Sequence, residues 1–166
     1  MRSEVGFAEF VRQHTPALVR TAYLLTGNGP AAEELVQDTL VRLYPKWDRV
    51  AAADAPLAYV RRALTNGFIN HSRRASRREY AMADLPESAD EYDAGARLAD
   101  RDEIWAGLRL LPERQRAALV LRFFDDVSDE DAAAALGCRV GTVRSLISRG
   151  LAALREQMAA SAGRTA

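Results

Sequence analysis

Wherever apolar residues cluster in this chain they recur at helical spacing, and no stretch shows the two-residue alternation of a half-buried strand. Leu57, Val60, Leu64, Phe68 and His71 form one such series. Val143, Leu146, Ile147, Gly150, Leu151 and Leu154 form another. Ala, Leu, Arg and Glu, all good helix formers, dominate. The pattern predicts an all-α fold. With 166 residues, 48% of them hydrophobic, the chain has room for one ordinary domain or two small ones.

Several function classes drop out. The lone cysteine, Cys138, allows no intramolecular disulfide, which excludes a stapled secreted scaffold and fits a reducing cytoplasm. Arg2, Glu4 and Glu9 break the pattern of a signal peptide, and no apolar run approaches a membrane span. His14 and His71 lie far apart with no carboxylate pair at ligand spacing, so neither a metal nor another cofactor is expected. Nothing resembles a catalytic constellation, and an enzyme is not expected. Lys+Arg and Asp+Glu tie at 23 each, so partners must be read from the distribution of charge.

Punctuation residues divide the chain. A first helix is expected over Ser3 to Gln13. Thr15-Pro16 then reads as a new N-cap with proline at the first helical position, opening a helix to Leu25. Thr26-Gly27-Asn28-Gly29 stops it, Pro30 opens a third helix to Tyr44, and Pro45 ends or kinks that one. A fourth runs from Pro56 to Arg78. From Asp84 to Glu103 eight acids face only Arg97 and Arg101, with Pro86, Ser88 and Gly95 interspersed, which reads as a flexible acidic linker. Helices are then expected over Glu113–Phe124, with Leu119, Val120, Phe123 and Phe124 in the core, over Asp129–Leu136, and over Val140–Met158. Residues 161–166 read as a frayed tail.

Three segments could carry function. Ser128 to Arg155 has the parts of a helix-turn-helix: a short Ala-rich helix, a Gly137-Cys138-Arg139 turn and a longer two-sided helix. Cys138 in that turn reads as a small filler. One face of the last helix is apolar. The other carries Gly141, Ser145, Ser148 and Ala152, flanked by Thr142, Arg144 and Arg149. Small residues allow close approach to the major groove, and arginines can reach guanine edges or phosphates. A solvated basic face on a packing helix is the plain alternative.

The second segment is the end of the fourth helix. Arg61, Arg62, Arg73, Arg74, Arg77 and Arg78 oppose only Glu79, and Asn66 and Asn70 sit four apart beside them. Such a face suits nucleic acid, although cations also complement a helix C-terminus. The third, Ala31 to Leu40, is an acidic amphipathic helix that by itself requires no partner.

The order of these pieces resembles the extracytoplasmic-function (ECF) sigma factors of the sigma-70 family, closest to the sigma-E-like branch, over Phe7 to Arg155. Glu34-Leu35-Val36-Gln37-Asp38-Thr39-Leu40 resembles the family's region 2.2, although the family often has Phe where Leu40 stands. Tyr59-Val60-Arg61-Arg62 through Asn66, Asn70 and Arg73-Arg74 resembles regions 2.3 and 2.4. Leu111-Pro112-Glu113-Arg114-Gln115-Arg116 and Leu136-Gly137-Cys138-Arg139-Val140-Gly141-Thr142-Val143-Arg144-Ser145 resemble region 4. Arg139 departs from the usual Ser or Thr cap, and the acids from Asp125 to Asp131 are unusual beside a DNA-facing element.

The resemblance implies residues 1–80 as region 2, 81–103 as linker, 104–160 as region 4 and 161–166 as tail. It implies a sigma factor that directs core RNA polymerase to promoters and helps open the −10 element. Glu33, Glu34, Gln37 and Asp38 would bind the clamp helices of the largest polymerase subunit. Arg62, Asn66, Asn70, Arg73, Arg74, Arg77 and Arg78 would hold melted −10 DNA. Arg139, Thr142, Arg144, Ser145, Ser148 and Arg149 would read the −35 element. The polymerase flap region is a further implied contact, and an anti-sigma factor is allowed. The alternatives are a dimeric helix-turn-helix regulator binding duplex alone and a module that docks a protein through its acidic helix.

Overall fold

The computed structural model describes residues 2–79 and 99–164. Its helices, in chain order, are α1 (Arg2–Thr26), α2 (Gly29–Leu43), α3 (Trp47–Ala51), α4 (Pro56–Glu79), α5 (Ala99–Arg109), α6 (Glu113–Leu119), α7 (Asp129–Leu136) and α8 (Val140–Arg164). A 3₁₀ turn, Tyr44–Lys46, joins α2 to α3, and a π turn, Val120–Phe124, extends α6. No strand occurs among the described residues, so the fold is all-α as expected.

The expected break at Thr15-Pro16 is absent, because α1 passes through Pro16. An interior proline forfeits a hydrogen bond and costs about 3 kcal/mol. Phe10, Leu18, Ala22 and Leu25 nevertheless form one buried stripe on both sides of it. Burying each of the larger side chains, Phe10, Leu18 and Leu25, contributes ~1.5–3 kcal/mol, so one continuous stripe outweighs the proline. The Thr15 hydroxyl donates to the Val11 carbonyl at 2.5 Å beside the disturbed turn.

The stop after Thr26 is as expected. Gly27 takes a left-handed conformation (φ 69°), and its N–H donates to the Tyr23 carbonyl at 2.7 Å. Asn28 caps α2, its Oδ1 accepting from the Ala31 N–H at 2.9 Å. Pro45 converts the end of α2 into the 3₁₀ turn. Trp47 follows, buried among the rings of Phe7 and Phe10. Val60, Leu64, Phe68 and Ile69 of α4 complete this core, whereas His71 is exposed and does not belong to the apolar face.

The C-terminal helices pack around Leu108, Leu111, Leu119, Val120, Leu136 and Val143. Phe123 and Phe124, expected in the core, are 58% and 48% exposed. The π turn explains this. The Asp125 N–H reaches back to the Val120 carbonyl and the Val127 N–H to that of Leu121, so the wider turn rotates both rings outward. Ser128 caps α7 by accepting from the Asp131 N–H at 3.1 Å, and Gly137 ends it in the left-handed region (φ 62°). Helix α5 begins at Ala99, inside the segment read as linker, and α8 stays helical to Arg164, inside the segment read as tail. The linker reading for 80–98 lies outside the described residues.

The two helical units touch. The Tyr23 ring packs on Trp105 with centroids 4.6 Å apart. The Arg109 guanidinium donates to the Gly27 carbonyl, and Arg116 Nη1 donates to the Leu25 carbonyl at 2.5 Å. Helix α4 also packs against α6 and α7.

Candidate functional site

Three faces assemble the residues singled out from sequence. On α2, Leu35, Val36, Thr39 and Leu40 are buried, and Thr39 donates back to the Leu35 carbonyl at 2.7 Å. That fixes the helix rotation, so Glu33, Glu34, Gln37 and Asp38 all face out. Val41 stands 70% exposed beside them. Glu34, Asp38 and Val41 line one wall of a groove of about 560 Å³ whose other wall is Phe68, Asn70 and His71 of α4, with Glu113 and Arg116 at its edge. Arg42 also lines the groove, so its rim carries both acids and cations around apolar Leu35, Val41 and Phe68.

On α4, burial of Val60, Leu64 and Phe68 turns Asn66 and Asn70 outward on consecutive turns. Arg62 is half-buried. Arg73, Arg74, Arg77 and Arg78 continue the same helix, but their side chains lie outside the described residues.

On α8, Val143 and Gly150 are buried, and Leu146, Ile147, Leu151 and Leu154 pack partly against the core. Arg139, Thr142, Arg144, Ser145, Ser148 and Arg149 are all exposed. Arg139 supplies the first helical acceptor through its carbonyl, bonded by the Val143 N–H at 3.1 Å. Cys138 is half-buried against the core, in keeping with a filler. The exposed face therefore carries donors and small residues on a helix that packs against α7 across the Gly137 turn.

The acids near this element have two destinations that sequence did not disclose. Asp125 is buried at the junction of the units, its side chain 1% exposed. Thr21 Oγ1 donates to its Oδ1 at 3.0 Å, and Arg61 Nε lies 3.5 Å from the same oxygen. Burial pushes the Asp125 carboxyl above the ordinary aspartate range, against the opposing pull of Arg61 and the Thr21 hydrogen bond. Asp129 instead pairs with Arg144 and Arg122. Arg116 was likewise hidden in the sequence motif. Its guanidinium donates to the carbonyls of Leu108, Leu25, Arg109 and Leu111, and burial lowers its pKa.

The family profile of Sigma-70 region 2 matches residues 10–78, and that of Sigma-70 region 4 matches residues 101–154. The RNA polymerase sigma-E factor of Streptomyces avermitilis is 37% identical over 152 residues, covering 92% of this chain and 84% of that protein. The chain belongs to the sigma-70 family. It is also 35% identical, over 136 residues, to the ECF RNA polymerase sigma factor EcfG of Rhodopseudomonas palustris, covering 81% of this chain and 75% of that one. Among solved structures, the sigma factor RpoE of Bartonella quintana, crystallised with the anti-sigma factor NepR, is similar with a TM-score of 0.77 at 30% identity, covering 92% of this chain and 96% of that one.

This sigma factor is thus an ECF-type initiation factor, which directs core RNA polymerase to promoters. The region 2 match spans the α2 and α4 faces, and the region 4 match spans α5 through most of α8. The reading as a stand-alone dimeric regulator is not favoured. No described helix is long and apolar enough to cross a membrane.

Proposed function

We propose a division of labour between the three faces, with residues 1–80 acting as region 2 and 104–160 as region 4. The α2 face (Glu33, Glu34, Gln37, Asp38) binds the polymerase clamp helices. The α4 face captures single-stranded −10 DNA: Asn66 and Asn70 engage unstacked bases, while Arg62, Arg73, Arg74, Arg77 and Arg78 neutralise phosphate. Base extrusion costs a few kcal/mol, roughly what stacking and phosphate contacts return. The α8 face (Arg139, Thr142, Arg144, Ser145, Ser148, Arg149) enters the major groove at −35. Region 4 also meets the polymerase flap. The protein works in the cytoplasm and leaves catalysis to the polymerase.

The observation that carries this reading is the rotation of α2, α4 and α8. In each, the buried stripe leaves the predicted side chains facing out wherever the structure describes them, except Arg62, which is half-buried. Likeness to a sigma factor crystallised with NepR supports an anti-sigma partner as well. The test is transcription with core polymerase and two variants. Asn66→Ala is expected to impair promoter opening with −35 binding intact, and Arg149→Ala to weaken −35 binding. Equal loss of duplex binding in both would contradict the division.

A further inference from the structure

An acid beside a DNA-reading helix repels phosphate, so Asp129 needs a reason to be where it is. It opens α7, and its position in the first turn favours the helix dipole. Glu130 and Asp131 occupy the same turn and serve that purpose without bonding to α8. Asp129 does more, because both of its oxygens are engaged by arginines from two other elements. Oδ2 accepts from Arg144 Nε at 3.1 Å, and Oδ1 lies 3.5 Å from Arg122 Nε on the π turn. The Asp129 side chain is 23% exposed, wedged between them, while that of Arg144 is 66% exposed.

Which nitrogen is used matters. A guanidinium held at Nε keeps its two terminal amino groups free, and these form the fork that matches guanine O6 and N7. Unrestrained, the long Arg144 side chain would lose rotamer entropy on reading a base. Tied at Nε to a carboxylate that Arg122 also holds, it has already lost much of that freedom. The second arginine also keeps the group cationic overall, since two arginines face one acid.

We propose that Asp129 is a positioning residue that buttresses Arg144 for bidentate reading of a guanine in the −35 duplex, trading general DNA affinity for base discrimination. This rests on the placement of α8 in the −35 major groove. It explains why an acid is tolerated here: the charge that weakens phosphate binding everywhere sharpens the choice of one base.

The test uses the full chain assembled with core polymerase. Promoter-length duplexes randomised across the upstream recognition window are selected by the wild type, Arg144→Ala, Asp129→Asn and Asp129→Glu, and the bound pools are sequenced. Arg144→Ala is expected to flatten preference at one guanine position. Asp129→Asn is expected to flatten the same position by roughly tenfold in discrimination while raising retention of unselected duplex, and Asp129→Glu to restore much of the preference. Loss of a helix-starting residue alone would lower binding evenly and leave base preference unchanged. Preference kept in Asp129→Asn but lost in Arg144→Ala overturns the buttress and leaves the −35 reading standing. No change in Arg144→Ala overturns the reading of Arg144 itself, and the buttress with it.

Discussion

Asp125, just past the π turn, and Arg61, on α4, face each other at 3.5 Å across the junction of the two helical units. The contact is an ion pair without hydrogen-bond geometry. Arg61 Nε and the second Asp125 oxygen, Oδ2, are both buried and have no hydrogen-bond partner among the described residues. Removing a carboxylate from water is costly, and here a cation and one hydroxyl compensate it incompletely.

That imbalance gives a pH dependence of unusual sign. The Asp125 pKa is raised, with burial as the largest cause, so the folded protein binds this proton more tightly than the unfolded chain does. The stabilising contribution is full below the ordinary aspartate pKa and is lost as pH rises through the raised value. Thermal melts across that window are expected to show the wild type gaining on Asp125→Asn as pH falls. The opposite trend would mean that attraction to Arg61 outweighs burial.

Arg116 joins the end of α1 to the C-terminal end of α5 and the loop after it through four backbone carbonyls. Arg116→Ala leaves those acceptors without their donor and is expected to cost about 2–3 kcal/mol of stability. Denaturant titration checks this. Arg116→Lys is expected to recover only part of the loss, because an ammonium is a compact point charge and lacks the planar fork.

The acidic face of α2 is exposed, so reversing its charge leaves the fold nearly intact, within ~0.5 kcal/mol. Glu34→Lys with Asp38→Lys is expected to weaken core polymerase binding by tenfold or more, about 1.4 kcal/mol. Fluorescence anisotropy against core polymerase measures it. Unchanged affinity would place the docking face elsewhere.

The helix rotations were legible in sequence because each buried stripe, such as Val60, Leu64 and Phe68, repeats over several turns. The cap at Ser128 bonds its own helix and was legible, whereas Asn28, which bonds its helix in the same way, reads in sequence only as part of a stop. Pro16 misled because a local breaker was weighed without the stripe it sits beside. Phe123 and Phe124 misled because a helical period was assumed through a π turn, which no composition signal marks. Asp125 and Asp129 look alike in sequence. One is buried against α4 and the other bonded to α8, and only tertiary contact separates them.

The division between α4 and α8 is tested most directly on a promoter complex formed with core polymerase, by permanganate reactivity of unpaired thymines at −10 and DNase I protection of the duplex at −35. Asn66→Ala is expected to lose −10 reactivity while keeping protection at −35. Arg149→Ala is expected to lose protection at −35. Both signals falling together in both variants, with duplex binding equally reduced, would contradict the account.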